Sequence, residues 1–102
     1  MAGGYIGILS VELHFPDTGS LKGKRKHVLS AKSQLQSRFG ASVAEVDHHD
    51  LWQRSRLTLA LVSRTAGESD ARLAEVSRWL HSDEAFQVVG EASEIITVEG
   101  DD

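Results

Sequence analysis

Cysteine is absent from this sequence of 102 residues, which also has only one proline and six aromatic residues. Without cysteine the chain has no disulfide, no thiolate ligand for zinc and no thiol nucleophile. No apolar run approaches the roughly 20 residues that a membrane-spanning helix needs, and the first residues carry no base of the kind that opens a signal peptide. The sequence therefore predicts a cytoplasmic protein that does not enter a membrane.

Acidic residues are missing from one long stretch, residues 18–44, although the whole chain contains fifteen of them. Six of the eleven Lys and Arg residues lie in that same stretch. The net charge of −4 therefore conceals a strong segregation of charge. We expect a local positive patch on an otherwise acidic molecule.

The first half of the chain shows a strand pattern followed by a helix pattern. Apolar and polar residues alternate over residues 5–15, which predicts a strand with one face on a core. A helix is predicted over residues 21–39, with Ser20 as its N-cap and Gly40 as its C-terminal stop. A short strand over residues 42–47 and a longer strand over residues 54–63 follow.

The second half predicts one more helix and one more strand. The helix is expected to begin after a cap at Ser69 or Asp70 and to end near residues 81–83. The last strand is expected over residues 86–98, with a bulge or bend at Gly90. We expect one domain over residues 1–102, with residues 1–4 and 99–102 frayed.

The order strand, helix, strand, strand, helix, strand predicts an α+β fold, the ferredoxin-like βαββαβ sandwich. Its four-stranded antiparallel sheet would have the spatial order 4-1-3-2, with both helices on one face. The other face would carry apolar residues that no helix covers, namely Ile6, Ile8, Ala60 and Val62. An uncovered apolar face of this kind is typical of a dimer interface or a ligand surface.

Four bases gather at the start of the first predicted helix: Lys22, Lys24, Arg25 and Lys26. Cations at a helix N-terminus oppose the helix dipole, so the arrangement destabilises the helix slightly. The same position suits an anion, and the phosphate backbone of RNA is the natural ligand for such a cluster. The alternative is a solvated helix face that acids from the rest of the chain neutralise.

The segment after the second strand carries further polar and aromatic candidates. His48 and His49 lie between two aspartates, and His14 is near them if the predicted sheet forms. Such a cluster binds zinc or manganese in some proteins, but no spacing here matches a metal motif, and a polar hairpin loop is the alternative. Trp52, with Arg54 close to it, would stack on a nucleobase or anchor a partner, and the alternative is that Trp52 covers the open end of the core.

Several functions of ferredoxin-like domains lack their residues in this sequence. The third strand has no aromatic side chain of the kind that an RNA-recognition sheet uses for stacking. Gly19 and Gly23 are spaced one residue too far apart for the Gly-x-x-Gly clamp of a KH domain, and no acylphosphatase phosphate loop or nucleophile motif is present. We therefore predict a protein that is not an enzyme and has no cofactor or metal.

Three segments together resemble the YlxP-like family of small bacterial proteins of unknown function. They are Gly7-x-Leu9-x-Val11-Glu12-Leu13, Ser20-Leu21-Lys22-x-Lys24-Arg25, and the run from Ser42 to Arg54 (SVAEVDHHDLWQR). The similarity covers nearly the whole chain. Two departures from the family pattern are Gly23, where members often carry a charged residue, and a longer stretch over residues 66–70.

The resemblance implies a ferredoxin-like fold, in agreement with the periodicity. Members are commonly encoded beside genes for transcription elongation, translation initiation and ribosome maturation, which implies a role in RNA or ribosome biology. No activity is established across the family, so the resemblance assigns no catalytic residue. The sequence thus predicts a binding module for ribosomal or precursor RNA, and the alternative is a homodimeric ligand-binding or protein-interaction domain.

Overall fold

The computed structural model describes residues 2–100. In chain order its elements are β1 (Ala2–His14), α1 (Leu21–Phe39), β2 (Ser42–Asp47), β3 (Arg54–Ser63), α2 (Ala66–Ser82) and β4 (Gln87–Glu99). The strands form one antiparallel sheet in the order β2-β3-β1-β4. This is the predicted order read from the other edge, so the predicted α+β architecture is confirmed.

One face of the sheet and both helices enclose a single apolar core. Alternate residues of β1 and β3 are buried, because successive side chains of a strand point to opposite faces. The helices add residues at spacings of three and four, the period that keeps one helical stripe on the core. The main core residues are Leu9, Val11, Leu13, Phe15, Val28, Ala31, Leu35, Leu57, Leu59, Leu61, Leu73, Val76, Leu80 and Phe86.

Helix α1 has the predicted bounds and both predicted ends. The Ser20 hydroxyl accepts a hydrogen bond from the backbone N–H of Gly23 at 3.1 Å. Gly40 lies in the left-handed region at φ 65° and donates its N–H to the carbonyl of Gln36. Both ends of α1 are therefore encoded by residues next to them in sequence.

The N-terminus of α2 differs from the prediction. The cap is Thr65, whose hydroxyl accepts from the N–H of Glu68 at 3.1 Å, so the helix begins about one turn before Ser69 and Asp70. Ser69 is fully buried inside the helix. The prediction was wrong because Ser69 continues the buried stripe of α2 toward its N-terminus.

Strands β1 and β4 run further into the chain ends than the sequence pattern predicted. Ala2 pairs with Glu99, so β1 and β4 extend into the ends that were expected to fray, while residues 1, 101 and 102 lie outside the described part. The register between β1 and β4 shifts after the Glu12–Gly90 pair, where Val89 is the extra residue. The predicted bulge at Gly90 is confirmed.

Candidate nucleic-acid interface

The first turn of α1 and the connection between β2 and β3 meet at the side chain of Lys24. This side chain is fully buried. Its ammonium lies 2.9 Å from the Glu45 carboxylate and 2.9 Å from the carbonyl oxygen of His48. The carbonyls of His49 and Arg54 both lie at 3.2 Å. The ammonium thus joins α1 to both ends of the loop at residues 48–53.

Glu45 is the acidic partner in this buried network. Its side chain is 8% exposed and also accepts hydrogen bonds from the Ser55 hydroxyl at 2.6 Å and from the His49 ring at 2.9 Å. Burial acts to raise the pKa of Glu45, but the hydrogen bonds from Ser55, Lys24 and His49 outweigh it and hold that pKa below its ordinary value. The carboxylate is therefore charged, and its partners are the side chains of Lys24, Ser55 and His49.

Lys24 is consequently not part of the exposed basic surface on which the sequence analysis placed it. The helical period contains the signal for this, since Lys24 precedes the buried Val28 by four residues and Ala31 by seven. The strand period contains a matching signal, because Glu45 shares the inward face of β2 with Val43. Two opposite charges that both point inward indicate a buried pair, which the sequence analysis missed.

The other three bases, Lys22, Arg25 and Lys26, are exposed, and we call them the basic face of α1. Within residues 2–100 none of the three forms an ion pair, and the first turn of α1 has no acid. A shallow groove of about 560 Å³ runs beside them, and Leu29, 67% exposed, lines it together with Ser20 and Gly23. The basic face therefore combines unneutralised charge with exposed apolar surface.

Trp52 lies on the loop that Lys24 fastens to α1, and Arg54 begins β3 directly after that loop. The Trp52 side chain is 46% exposed, so it covers the core less completely than a buried aromatic residue would. The Arg54 guanidinium lies 3.9 Å from Glu12, and Arg56 lies 3.2 Å from the same carboxylate. Arg54 is thus partly neutralised, whereas the basic face of α1 is not.

The histidines do not assemble into one site. His48 lies 2.9 Å from Glu12, His49 pairs with Glu45, and His14 lies 3.5 Å from the Gln87 side chain. His48 takes a left-handed backbone conformation at φ 62°, which turns the chain at the end of β2. Within residues 2–100 no three acidic or imidazole side chains are arranged to hold a metal ion.

The predicted open face of the sheet carries a continuous apolar patch at one end. Ile6 pairs with Val62 and Ile8 pairs with Ala60, so the four predicted residues form a block on two neighbouring strands. Val62 is 72% exposed, and Ile96, which pairs with Ile6 from the other side, is 40% exposed. The opposite end of this face is charged, because Glu12 and Arg56 lie there.

Comparison with known proteins identifies the family. The family described as "Protein of unknown function (DUF503)" matches residues 6–92. The chain belongs to this family. It is 31% identical over 77 residues to the "Uncharacterized protein YlxP" of Bacillus subtilis (strain 168), a match that covers 76% of this chain and 84% of that protein. The predicted resemblance is thereby confirmed.

One solved structure shows a weak overall similarity to this chain. It is the amidase of the hydantoinase/carbamoylase family from Burkholderia phymatum, with a TM-score of 0.43 and 10% identity. The alignment covers 95% of this chain and only 28% of the amidase. In this DUF503 protein, neither helix of the described range, residues 2–100, is long and apolar enough to cross a membrane.

Proposed function

We propose that this DUF503 protein is a non-enzymatic module that binds RNA, ribosomal or its precursor, through the basic face of α1. The observation that carries the proposal is the set of three exposed cations without an acidic partner in residues 2–100. The nearby acid Glu45 is occupied by Lys24, Ser55 and His49, so it is not available to neutralise them. A polyanion would supply the missing negative charge.

The surroundings of the basic face favour a strand of nucleic acid over a lone anion. Leu29 adds exposed apolar surface beside the cations. The loop that holds Trp52 is fastened to the same end of α1 by the Lys24 ammonium. The unpaired nucleobases of a single strand stack on aromatic side chains, while Lys and Arg contact its phosphates. Trp52 and Arg54 would extend the surface in this way.

The test is a triple variant, Lys22→Glu, Arg25→Glu and Lys26→Glu, which leaves the buried Lys24 in place. We expect it to abolish co-sedimentation with ribosomal particles. We also expect weaker binding to fluorescein-labelled single-stranded RNA. The slope of log K against the logarithm of the salt concentration should become shallower by about three or less. Fluorescence anisotropy at several salt concentrations measures both quantities.

A matched control is Arg38→Glu, Arg64→Glu and Arg78→Glu, three exposed bases elsewhere on the chain. Both triple variants replace three bases with three acids, so both change the net charge from −4 by −6, to −10. We expect the control to keep most of its RNA binding. Unchanged co-sedimentation of the α1 variant, or equal loss in both variants, contradicts the proposal.

The second candidate function is a homodimeric interaction or ligand-binding domain that uses the open face of the sheet. The observation that favours it is the apolar block of Ile6, Ile8, Ala60 and Val62, which Ile96 extends onto a third strand. Association of two such faces would remove this apolar surface from water. The molecular mass in solution distinguishes this candidate from the first.

A further inference from the structure

The outer edge of β4 offers backbone groups to a further strand. Within residues 2–100, β4 is the last strand of the sheet and pairs only with β1. Its eight residues Gly90 to Thr97 keep one regular register without a bulge. Half of the backbone N–H and C=O groups of such a strand point away from its neighbour, and an extended peptide can pair with them.

A groove lies directly beside this edge, between β4 and α2. Its volume is about 610 Å³, and we call it the edge groove. Leu9 and Leu73, both buried, belong to its lining with Ile95, and Ala74 and Ser93 leave space because their side chains are small. A strand added to β4 would therefore direct alternate side chains into a partly apolar groove.

One end of the edge groove is closed by a bridge between the two elements. The Glu91 carboxylate of β4 accepts a hydrogen bond from Ser77 of α2 at 2.7 Å and lies 2.9 Å from the His81 ring. These two contacts hold the pKa of Glu91 below its ordinary value. The bridge fixes the distance between β4 and α2, so the groove is supported by side chains on both sides.

The charge around the edge groove is predominantly negative. Asp70, Glu91 and Glu94 line it, and Arg78 is the one base among its lining residues. From residue 80 to the end of the sequence no Lys or Arg occurs, so β4 has three acids and no base. Two copies paired edge to edge through β4 would bring these acids together, which disfavours a second copy as the occupant.

We propose that β4 and the edge groove bind an extended segment of a partner protein, in which apolar residues alternate with Lys or Arg. The segment would add a strand beside Gly90–Thr97. Its apolar side chains would enter the edge groove, and the bases between them would point to the other face of the sheet, where Glu94 lies opposite Ile8. This site uses neither the basic face of α1 nor the apolar block of the open sheet face.

The test is selection from a phage-displayed library of random peptides of about eight residues, matched to the regular length of β4. We expect enrichment of sequences in which apolar residues alternate with Lys or Arg. A synthetic peptide of the enriched sequence should slow amide hydrogen exchange at residues 90–97. Methylation of alternate peptide nitrogens should abolish binding, because it removes the N–H groups that pair with β4.

The matched protein variants are Ala74→Trp, which fills the edge groove, and Ala71→Trp, which adds the same side chain to α2 outside the groove lining. We expect Ala74→Trp to weaken binding of the synthetic peptide about tenfold or more, as loss of an apolar anchor does. Ala71→Trp and the triple variant of the basic face should bind normally.

Three results would overturn the inference. One is a selection that enriches no sequence. Another is an enriched peptide that binds the Ala74→Trp variant as tightly as the unchanged protein. The third is a methylated peptide that binds as well as its parent, which would reduce the interaction to attraction between charges. None of these results bears on the RNA proposal, because the basic face lies on α1.

Discussion

At the scale of single residues, Lys24 connects the two most distinctive segments of the chain. A buried ammonium without partners is very costly, because it loses its hydration. Here its three N–H groups face four oxygens within 3.2 Å, one of them on a charged carboxylate. The cost of burial is thereby offset, and removal of one partner leaves the other without compensation.

We predict that Lys24→Met lowers the free energy of unfolding by about 3–5 kcal/mol, because it removes the cation that pairs with the Glu45 carboxylate and leaves three backbone carbonyls without their donor. Urea denaturation measures the change. The matched control is Lys22→Met, two residues away and exposed, for which we expect a change within about 0.5 kcal/mol. Equal effects of the two substitutions would show that the Lys24 network adds nothing to stability.

The pH dependence of the same variants checks the physical cause. The pKa of Glu45 is lower in the folded protein than its ordinary value, so its contribution to stability is present above the ordinary pKa. That contribution is lost as the pH falls through the lower, folded-state pKa. We therefore expect the cost of Lys24→Met to be larger at pH 7 and to shrink as the pH falls through the folded-state pKa of Glu45, because a protonated Glu45 no longer needs a cation.

At the scale of elements, the two helices differ in how clearly the sequence shows where each begins and ends. Ser20 and Gly40 flank α1 and act through the backbone groups nearest to them. The start of α2 offers a choice, because Thr65, Ser69 and Asp70 are all residue types that cap helices. Packing decides between them. Ser69 lies four residues before Leu73, on the buried stripe, and within residues 2–100 its hydroxyl has no hydrogen-bond partner.

We predict opposite outcomes for two substitutions at this helix. Thr65→Ala removes the acceptor for the Glu68 N–H and should destabilise the protein by about 1 kcal/mol. Ser69→Ala removes a buried, unpaired hydroxyl and should be neutral or stabilising. Thermal unfolding of both variants measures the difference. If Ser69→Ala lowered the stability more than Thr65→Ala did, Ser69 would be the N-cap, as the sequence suggested.

At the scale of the whole molecule, charge and apolar surface are distributed over separate regions. Bases collect on α1, acids collect along β4, and apolar side chains collect at one end of the open sheet face. Segregation of this kind orients a molecule toward charged partners. Each of the three regions is the basis of a different proposed interaction, and substitutions in one region test that interaction separately from the others.

We predict that, if the open face is a dimer interface, Ile8→Asp shifts the protein to the monomer, because it places a charge within the apolar block. Light scattering after size-exclusion chromatography measures the mass against the 11.1 kDa of one chain. Leu29→Asp, at an exposed apolar residue of α1, is the control and should not alter the mass. A monomeric mass for the unchanged protein at every concentration would exclude the dimer.

The fold was largely predictable from the sequence, because the residues that specify its strands and helices either recur at a regular spacing or lie next to the element they begin or end. Alternation over β1 and β3 assigns their buried faces, and capping residues next to α1 set both its ends. The candidate site was predictable only in part. Lys22, Arg25 and Lys26 are exposed as expected, but Lys24 is not, although all four lie in one basic run.

The sequence by itself determined the order of the elements, the faces of its strands and the uneven distribution of charge. Only the tertiary structure decided which of the clustered bases meets an acid. Lys24 and Glu45 are 21 residues apart, and they pair because α1 packs beside β2 with the inward face of each element turned to the same space. Because burial takes both charges out of water, each needs the other as its partner, and the bases that stay exposed remain available to a binding partner.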